Sequence, residues 1–403
     1  MIPRIAIIGA GPGGLTLGLL LHQAAIPFTI YEKRARYTAA QLSLPSGMLD
    51  LHDESGLRAI RACGLYDKFL PHTADCQEFM RILNKDGTVT HEYRGRGARP
   101  EISRHSLIDI FLSSIPEQRI AWGHKLESAK HHNGATTLDF SSVTAEADLV
   151  IGADGTWSRI RPLLSSIKPK YSGLQNITIT IPKVAEFYPD LSEFCGPGSA
   201  FVLGNRNAII AQRGTGDSER LYLTINTCDE ELEKSENFEN LSPEAISERL
   251  TNDDRYFGDW SETAKTLIRT AFIEDARPDS WTLDIRPLYT LPTNHTWDSK
   301  RGLAMIGDAA HVMTPYAGEG VNLAMWDALD LAAVIAEAWS TDMYQFQNDL
   351  SPKLQEVTEL IIERSNGKAK GTQKNAEIIF ADNAAEKMAS LMKMLAARTQ
   401  KNA

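Results

Sequence analysis

A glycine-rich turn near the start of the chain is its most constraining feature. The preceding run Ile5-Ala6-Ile7-Ile8 is short, apolar and rich in branched residues, which is typical of a buried parallel strand. The turn reads Gly9-x-Gly11-x-x-Gly14, and a leucine-rich helix begins within it. In such a unit the first glycine permits a tight turn, the second lets backbone approach a pyrophosphate, and the third lets helix pack on strand. The pattern therefore predicts a dinucleotide site at the helix N-terminus.

The end of the second predicted strand narrows the choice of dinucleotide. This strand runs from Pro27 to Tyr31 and is followed by Glu32, 18 residues beyond Gly14. An acid in this position hydrogen-bonds a ribose diol. Because its charge would repel a 2′-phosphate, the turn favours FAD or NAD over NADP. Lys33 comes next and is included in the predicted cofactor-binding set.

A second strand-to-helix region lies near residue 308. A short apolar strand at 303–306 is followed by Gly307-Asp308, then by a proline bend at Pro315 and by two glycines, Gly318 and Gly320. A long apolar helix begins directly afterwards. The carboxylate can bind a ribityl chain, and the helix dipole can stabilise negative charge on a ring. We therefore predict a second cofactor-binding turn in this region.

Composition excludes several function classes. The chain has 403 residues and a net charge of −10, which argues against nucleic acid or an anionic membrane as a partner. Its four cysteines show no C-x-x-C spacing. The adjacent histidines at 131–132 would point in different directions on any regular element, so no metal site is predicted. No run of 18 apolar residues is present. We expect a cytoplasmic protein.

The pattern of segments predicts an α/β fold with a Rossmann-like domain, a discontinuous mixed-sheet domain and a long C-terminal helix. We assign residues 1–70, 101–168 and 285–338 to the nucleotide domain, 71–100 and 169–284 to the sheet domain, and 339–403 to the C-terminal helical segment. An apolar stripe in this last segment fits packing against the body of the protein or a dimer interface. We favour packing and a monomer.

Three motifs, in a characteristic order along the chain, give it a resemblance to a known protein family. These are Gly9-x-Gly11-x-x-Gly14, the Asp-Gly pair Asp154-Gly155 and the pair Gly307-Asp308, which together span residues 9–308. This set resembles the class A FAD-dependent aromatic hydroxylases of the para-hydroxybenzoate hydroxylase type. Within that family the chain most resembles the tetracycline-inactivating flavin monooxygenases, through the segments 46–56, 101–104 and 317–322.

The resemblance implies roles for individual residues. Glu32 is expected to hold the adenosine ribose and Asp308 the ribityl or ribose hydroxyls. Arg104 is expected to contact the ribityl-phosphate region, Asp50 to lie against the flavin, and Asp154 to position the cofactor from a strand end. The full cofactor-binding set is Gly9, Gly11, Gly14, Glu32, Lys33, Asp50, Arg104, Asp154, Asp308, Pro315, Gly318, Glu319 and Gly320.

Two departures from the family pattern bear on function. The relatives usually carry glutamine beside the flavin ring, where this chain has Glu319; a carboxylate there either raises the cost of an anionic reduced flavin or turns to solvent. Tyr222 stands about where the tetracycline enzymes present histidine, so tetracycline is not the expected substrate. Candidates for the substrate wall, each of which also fits the core, are Met48, Phe201, Gln212, Tyr222 and Phe257.

The resemblance implies a monooxygenase that uses FAD, with NADPH or NADH as transient reductant and O2 as co-substrate. One oxygen atom would pass through a flavin C4a-hydroperoxide to an aromatic or polycyclic small molecule, without a catalytic side chain. Gly214-x-Gly216 lacks a third glycine, so no second nucleotide domain is expected. The alternatives are a flavin-dependent reductase or halogenase, a non-turnover FAD or ligand-binding protein, and an NAD-dependent dehydrogenase.

Overall fold

The computed structural model describes residues 1–73, 77–95, 100–141, 143–276 and 281–401. Residues 74–76 and 96–99 of the predicted 71–100 segment therefore lie outside the described residues. The strands, numbered in chain order, are β1 (Ile5–Ile8), β2 (Thr29–Glu32), β3 (Met48–Asp50), β4 (Phe79–Asn84), β5 (Val89–Arg94), β6 (Glu101–Ser103), β7 (Ile120–Trp122), β8 (Ser128–His132), β9 (Ala135–Asp139), β10 (Thr144–Ala147), β11 (Leu149–Gly152), β12 (Lys170–Ile181), β13 (Ser199–Gly204), β14 (Asn207–Gly214), β15 (Ser218–Asn226), β16 (Asp284–Thr290) and β17 (Leu303–Met305).

The α-helices occur between these strands and continue to the C-terminal end. They are α1 (Pro12–Gln23), α2 (Ala39–Ser43), α3 (Gly56–Ala62), α4 (Tyr66–Phe69), α5 (Arg104–Leu112), α6 (Val184–Phe187), α7 (Pro189–Cys195), α8 (Leu232–Ser235), α9 (Pro243–Asn252), α10 (Glu262–Asp275), α11 (Asp308–His311), α12 (Gly320–Ala338), α13 (Met343–Ile379) and α14 (Ala384–Lys401). Among the described residues, no helix combines the length and the apolar character needed to cross a bilayer.

A parallel sheet forms the nucleotide half of the molecule. Its strand order is β17-β11-β1-β2-β7, and every neighbouring pair is parallel. The central strand β1 is fully buried, as its unbroken apolar run predicts. Helices α1 and α12 pack against each other beside this sheet. Because parallel strands end at one edge, the loops after β1, β2, β11 and β17 meet there.

A mixed sheet forms the other half, in the order β16-β12-β15-β14-β13-β4-β5. One face carries an aliphatic core covered by α9 and α10, whereas the other face packs against the end of α13 and against α14. Strand β16 pairs with β12, so residues 284–290 lie in this sheet although the sequence places residue 285 at the start of a nucleotide segment. Pro287 in β16 interrupts the sequence pattern that is typical of a strand. Proline is tolerated there because β16 is an edge strand.

The C-terminal segment consists of two helices that pack on both halves. Helix α13 lies along α12, and α14 contacts β4, β5 and β13 of the mixed sheet. The predicted apolar stripe of this segment includes Ala385 and Met388, which are buried in the cluster under that sheet, and Ile378 and Met392, which pack against it. The α/β fold with a Rossmann-like domain, a discontinuous mixed sheet and a long C-terminal helix is confirmed.

Candidate active site

The first glycine turn follows β1 and opens α1. Gly9 has φ +112°, and a Cβ on it would lie 2.3 Å from the carbonyl oxygen of Ala153; a Cβ on Gly14 would lie 2.0 Å from the oxygen of Gly9. A Cβ on Gly11, in contrast, would meet no atom within 4 Å. Two of the glycines are therefore required by the fold. Gly11 faces open space at a helix N-terminus that has no side-chain cap and no acid in its first turn.

Glu32 lies at the end of β2, directly beside this turn. Its Oε2 accepts a hydrogen bond from the Ala10 N–H (2.8 Å), and its Oε1 accepts from the backbone (3.0 Å) and Nε (2.8 Å) of Arg34. Burial alone would raise the pKa of Glu32, but these bonds hold it below its ordinary value. The side chain is thus a charged acceptor next to open space. Lys33 is exposed to solvent at the same strand end.

Asp154 follows β11 and is turned inward. Its Oδ2 accepts a hydrogen bond from the Arg159 N–H (2.7 Å), whereas its buried Oδ1 has no hydrogen-bond partner in the part of the chain that the structure describes. Burial raises the pKa of this carboxyl, although hydrogen bonds from its neighbours oppose the shift. An unpaired buried oxygen is costly, so this atom marks a position where a polar ligand group would be stabilising.

A buried arginine joins the Asp154 loop to the loop after β17. Arg161 donates Nη1 to the Thr156 carbonyl (2.9 Å), Nη2 to the Asp308 carbonyl (2.9 Å) and Nε to the Ala309 carbonyl (2.8 Å). The Asp308 side chain itself is exposed at the start of α11. The backbone of Asp308 is thereby fixed, while its carboxylate stays free to meet a ligand.

Behind the same turn lies a buried ionic network. Asp327 accepts hydrogen bonds from the Gly307 N–H (3.1 Å) and from Arg364 Nη2 (2.8 Å), and it lies 2.6 Å from His311 Nε2. Burial alone would lower the pKa of His311, but the charge of Asp327 raises it overall. Burial alone would raise the pKa of Asp327, but His311 and Arg364 lower it. His311 therefore holds the turn from inside the protein.

The N-terminus of α12 is the second open position. Gly318 closes a turn by donating its N–H to the Pro315 carbonyl (3.0 Å), and its φ of +65° suits glycine. A Cβ on either Gly318 or Gly320 would meet no atom within 4 Å. The first amide groups of this helix therefore border free space, as they do at Gly11.

Asn322 connects this helix start to strand β3. Its buried Oδ1 accepts the N–H groups of His52 (2.9 Å) and Gly56 (3.2 Å), and its Nδ2 donates to the carbonyls of Asp50 (2.8 Å) and Gly318 (3.0 Å). The amide thus fixes the strand that carries Asp50 against the glycine turn before α12. Sequence reasoning did not select Asn322, although it ends a segment that carries the family resemblance.

Glu319 does not turn to solvent. Its side chain is 13% exposed; its Oε1 accepts from Lys368 Nζ (2.6 Å), and its Oε2 lies 3.7 Å from His52 Nδ1. His52 Nε2 in turn lies 3.3 Å from Asp50 Oδ2. The carboxylate therefore lies between two cationic or potentially cationic groups, neither of which the sequence pattern had singled out.

Strands β3 and β6 connect the two halves of the molecule. They pair with Met48 opposite Ser103, and the Arg104 N–H donates to the Gly47 carbonyl (3.0 Å). The Tyr222 hydroxyl of the mixed sheet would lie 2.6 Å from a Cβ placed on Gly47. Tyr222, Met48 and the exposed Arg104 are thus brought to one place, where the predicted substrate wall meets a predicted cofactor residue.

The remaining wall candidates separate by sheet face. Cross-strand register places Phe201, Ile210 and Tyr222 in one row, and Gln212 lies on the same face and donates to Glu101 Oε2 (3.0 Å). Phe257 is fully buried in the cluster on the opposite face. The structure therefore brings Phe201, Gln212, Tyr222 and Met48 together, and it places Phe257 away from them.

Tyr316 also faces this region and is not among the predicted residues. Its side chain packs against the same hydrophobic cluster as Phe201 and Ile210, its ring lies 5.1 Å from that of Phe380, and its buried hydroxyl lies beside Thr224. Burial raises the pKa of Tyr316. Its place directly after Pro315, in the predicted cofactor turn, is the signal that would have identified it.

Comparison with known proteins identifies the family. A family model described as an FAD binding domain matches residues 3–283 and 293–343. The monooxygenase penA of Penicillium thymicola is 36% identical over 430 aligned positions, which cover 96% of this chain and 98% of penA. The chain belongs to the FAD-dependent monooxygenases. It is an oxidoreductase, and the predicted resemblance to the flavin hydroxylases is confirmed.

Solved structures of flavin monooxygenases share the fold. HpxO of Klebsiella pneumoniae, solved with FAD and uric acid, superposes with a TM-score of 0.74 and 19% identity, covering 97% of this chain and 92% of HpxO. The tetracycline destructase Tet(51) superposes with a TM-score of 0.65 and 18% identity, covering 96% and 98% of the two chains. At these identities the likeness is one of fold.

The residues of this monooxygenase fit FAD. The open backbone at Gly11 and the charged acceptor Glu32 suit a pyrophosphate and a ribose. At the adjoining strand end lies the buried Asp154 Oδ1, which has no hydrogen-bond partner among the residues described. The exposed Asp308 and the uncrowded glycines before α12 border the edge where the loops meet. These positions lie at the carboxyl ends of parallel strands, where nucleotides bind in this class of sheet.

Proposed function

We propose that this monooxygenase uses NAD(P)H and O2 to insert one oxygen atom into an aromatic or polycyclic small molecule of phenolic or enolic character. We infer the substrate class from one observation: the hydroxyls of Tyr222 and Tyr316 are polar groups on an otherwise largely apolar wall. Both rings lie on the face of the mixed sheet that β3 adjoins. A flat apolar ring with an oxygen substituent matches such a wall and such donors.

The chain's own residues would bind and orient the reactants. Glu32 would accept hydrogen bonds from the adenosine ribose, Asp308 from the ribityl chain, and the amides of Gly11 and the start of α1 would hold the pyrophosphate. Arg104 would approach the ribityl-phosphate region from the start of α5. Held by these residues, FAD would supply the hydride-accepting and oxygen-activating chemistry that the side chains themselves lack.

The protein side of the reaction consists of positioning and exclusion of water. Met48 and Phe201 are apolar groups beside the proposed substrate, and a dry pocket prevents loss of activated oxygen as hydrogen peroxide. The buried Tyr316 hydroxyl, which lies beside Thr224, would donate to a substrate oxygen. No side-chain nucleophile is required. NAD(P)H would bind transiently, because the chain has one full glycine fingerprint.

The test begins with the absorbance spectrum of the purified protein and continues with NADPH or NADH in air, using a panel of phenolic and enolic compounds. The proposal expects flavin bands, reductant oxidation stimulated by some of the compounds, and one oxygen-18 atom in the product when labelled O2 is supplied. Stimulated oxidation that yields only hydrogen peroxide or a reduced product would contradict oxygen insertion. A ligand that binds without stimulating oxidation would favour the non-turnover binder.

A further inference from the structure

The ion pair between Glu319 and Lys368 lies at the N-terminus of α12. Lys368 Nζ is 2.6 Å from Glu319 Oε1, and the two side chains are 35% and 13% exposed. The other titratable group facing Glu319 among the described residues is His52, with Nδ1 at 3.7 Å. The pair is partly shielded from water, and it adjoins the open space at Gly318 and Gly320.

The lysine is held in place by the helix that carries it. Four and seven residues beyond Lys368 on α13, Thr372 donates to the Thr314 carbonyl (2.9 Å) and Asn375 donates to the Tyr316 carbonyl (2.9 Å). These three residues lie on one helix face, and all contact the loop at 314–319. The contact is therefore part of a fixed helix–loop interface, unlike an isolated surface ion pair.

The charge at this position has a direct electrostatic consequence. A helix N-terminus is equivalent to roughly half a positive charge and stabilises an adjacent anion. An unpaired carboxylate at Glu319 carries a full negative charge, so it would reverse the sign of the potential at the start of α12. The ammonium group of Lys368 cancels that carboxylate and leaves the helix terminus positive.

We propose that Lys368 is a positioning residue that neutralises Glu319, so that the N-terminus of α12 stabilises negative charge on the reduced flavin. This inference rests on the proposed function and on the flavin position beside Glu319 that the family resemblance implies. A neutral side chain at this position needs no partner. An acidic one requires a fixed cation, and α13 supplies it from 49 residues away.

The inference is tested by the midpoint potential of the bound flavin, measured by equilibration with a reference dye. Lys368→Met is expected to lower the potential, because it leaves an unpaired carboxylate near the reduced ring. Glu319→Gln is expected to raise it, because it leaves an unpaired ammonium group. The double variant is expected to return close to the wild-type value, and Lys368→Arg should retain that value because the positive charge remains.

Lys370→Met is the matched control, since Lys370 is exposed on the same helix two residues away; its potential should equal that of the wild type. Single variants that shift the potential in the same direction, or a double variant that does not return, would overturn the inference. Glu319→Gln decides the question alone if Lys368→Met does not fold. If the variants bind flavin but its midpoint potential does not change, only the counter-ion role of Lys368 is refuted. If the wild-type protein binds no FAD, the cofactor placement itself is refuted.

Discussion

The parallel sheet and the mixed sheet present their functional groups in different ways. In the parallel sheet the predicted groups lie in the turns after β1, β2, β11 and β17, and they include the open backbone at Gly11 as well as side chains. In the mixed sheet, Phe201, Gln212 and Tyr222 project from the interior of strands whose backbone groups are paired. The proposed cofactor site is therefore constrained mainly by backbone geometry, and the proposed substrate wall mainly by the identity of its side chains.

Substitution at the first glycine turn is expected to give the largest effect. Gly14→Ala places a Cβ 2.0 Å from the Gly9 oxygen, and overpacking of this kind costs about 3 kcal/mol or more. Gly11→Ala meets no protein atom but enters the space predicted for the pyrophosphate. Thermal unfolding should show a loss of stability in the first variant only, and FAD titration should show weakened binding in the second. Equal stability losses would contradict the distinction.

Asn322→Ala tests whether side chains also constrain the parallel-sheet half. The substitution leaves the buried N–H groups of His52 and Gly56 without their acceptor, at about 1–3 kcal/mol for each group. We expect a lower free energy of unfolding in urea and weaker FAD binding, because β3 is no longer fixed to α12. Asn322→Asp keeps an oxygen acceptor and should lose less. Full stability in the alanine variant would show that water replaces the amide.

The network behind the Gly307 turn predicts a smaller, pH-dependent effect. Because the pKa of His311 is raised above its ordinary value of 6.5, its contribution to stability is present at lower pH and is lost as pH rises through the folded-state pKa. Urea unfolding of the wild type from pH 6 to 9 should reveal this loss. His311→Asn should have a flatter profile, whereas the exposed His132→Asn should follow the wild type. Identical profiles for all three proteins would exclude the linkage.

Tyr222→Phe is expected to have the smallest effect on the fold and to act on substrate alone. Removing one hydroxyl donor should raise KM about tenfold, the equivalent of one hydrogen bond of about 1.4 kcal/mol. FAD affinity and unfolding temperature should not change, since the hydroxyl lies beside Gly47 at the predicted substrate wall. A change in FAD affinity would show that this tyrosine also serves the cofactor half, which would blur the distinction between the sheets.

The same distinction explains what could be predicted from sequence. Gly9, Gly14 and Glu32 lie within one short unit whose spacing carries the geometry, so their local placement followed from the motif. The positions of Tyr316 and Phe257 depend on which face of the mixed sheet each side chain packs against, and no local sequence pattern indicates this. Lys368 pairs with Glu319 across 49 residues, and only the packing of α13 on the 314–319 loop brings them together.

The order of strands in the parallel sheet also affects synthesis of the protein. Strand β11 pairs with β1 through Leu149 and Ile5, and with β17 through Val150 and Leu303. A ribosome-bound chain therefore completes every described strand of the mixed sheet, through Thr290, before β17 exists. Until β17 emerges, one side of β11 is an open edge available to other chains. A nascent chain stalled between residues 290 and 303 would thus still expose this edge, although nearly three quarters of these 403 residues had been made.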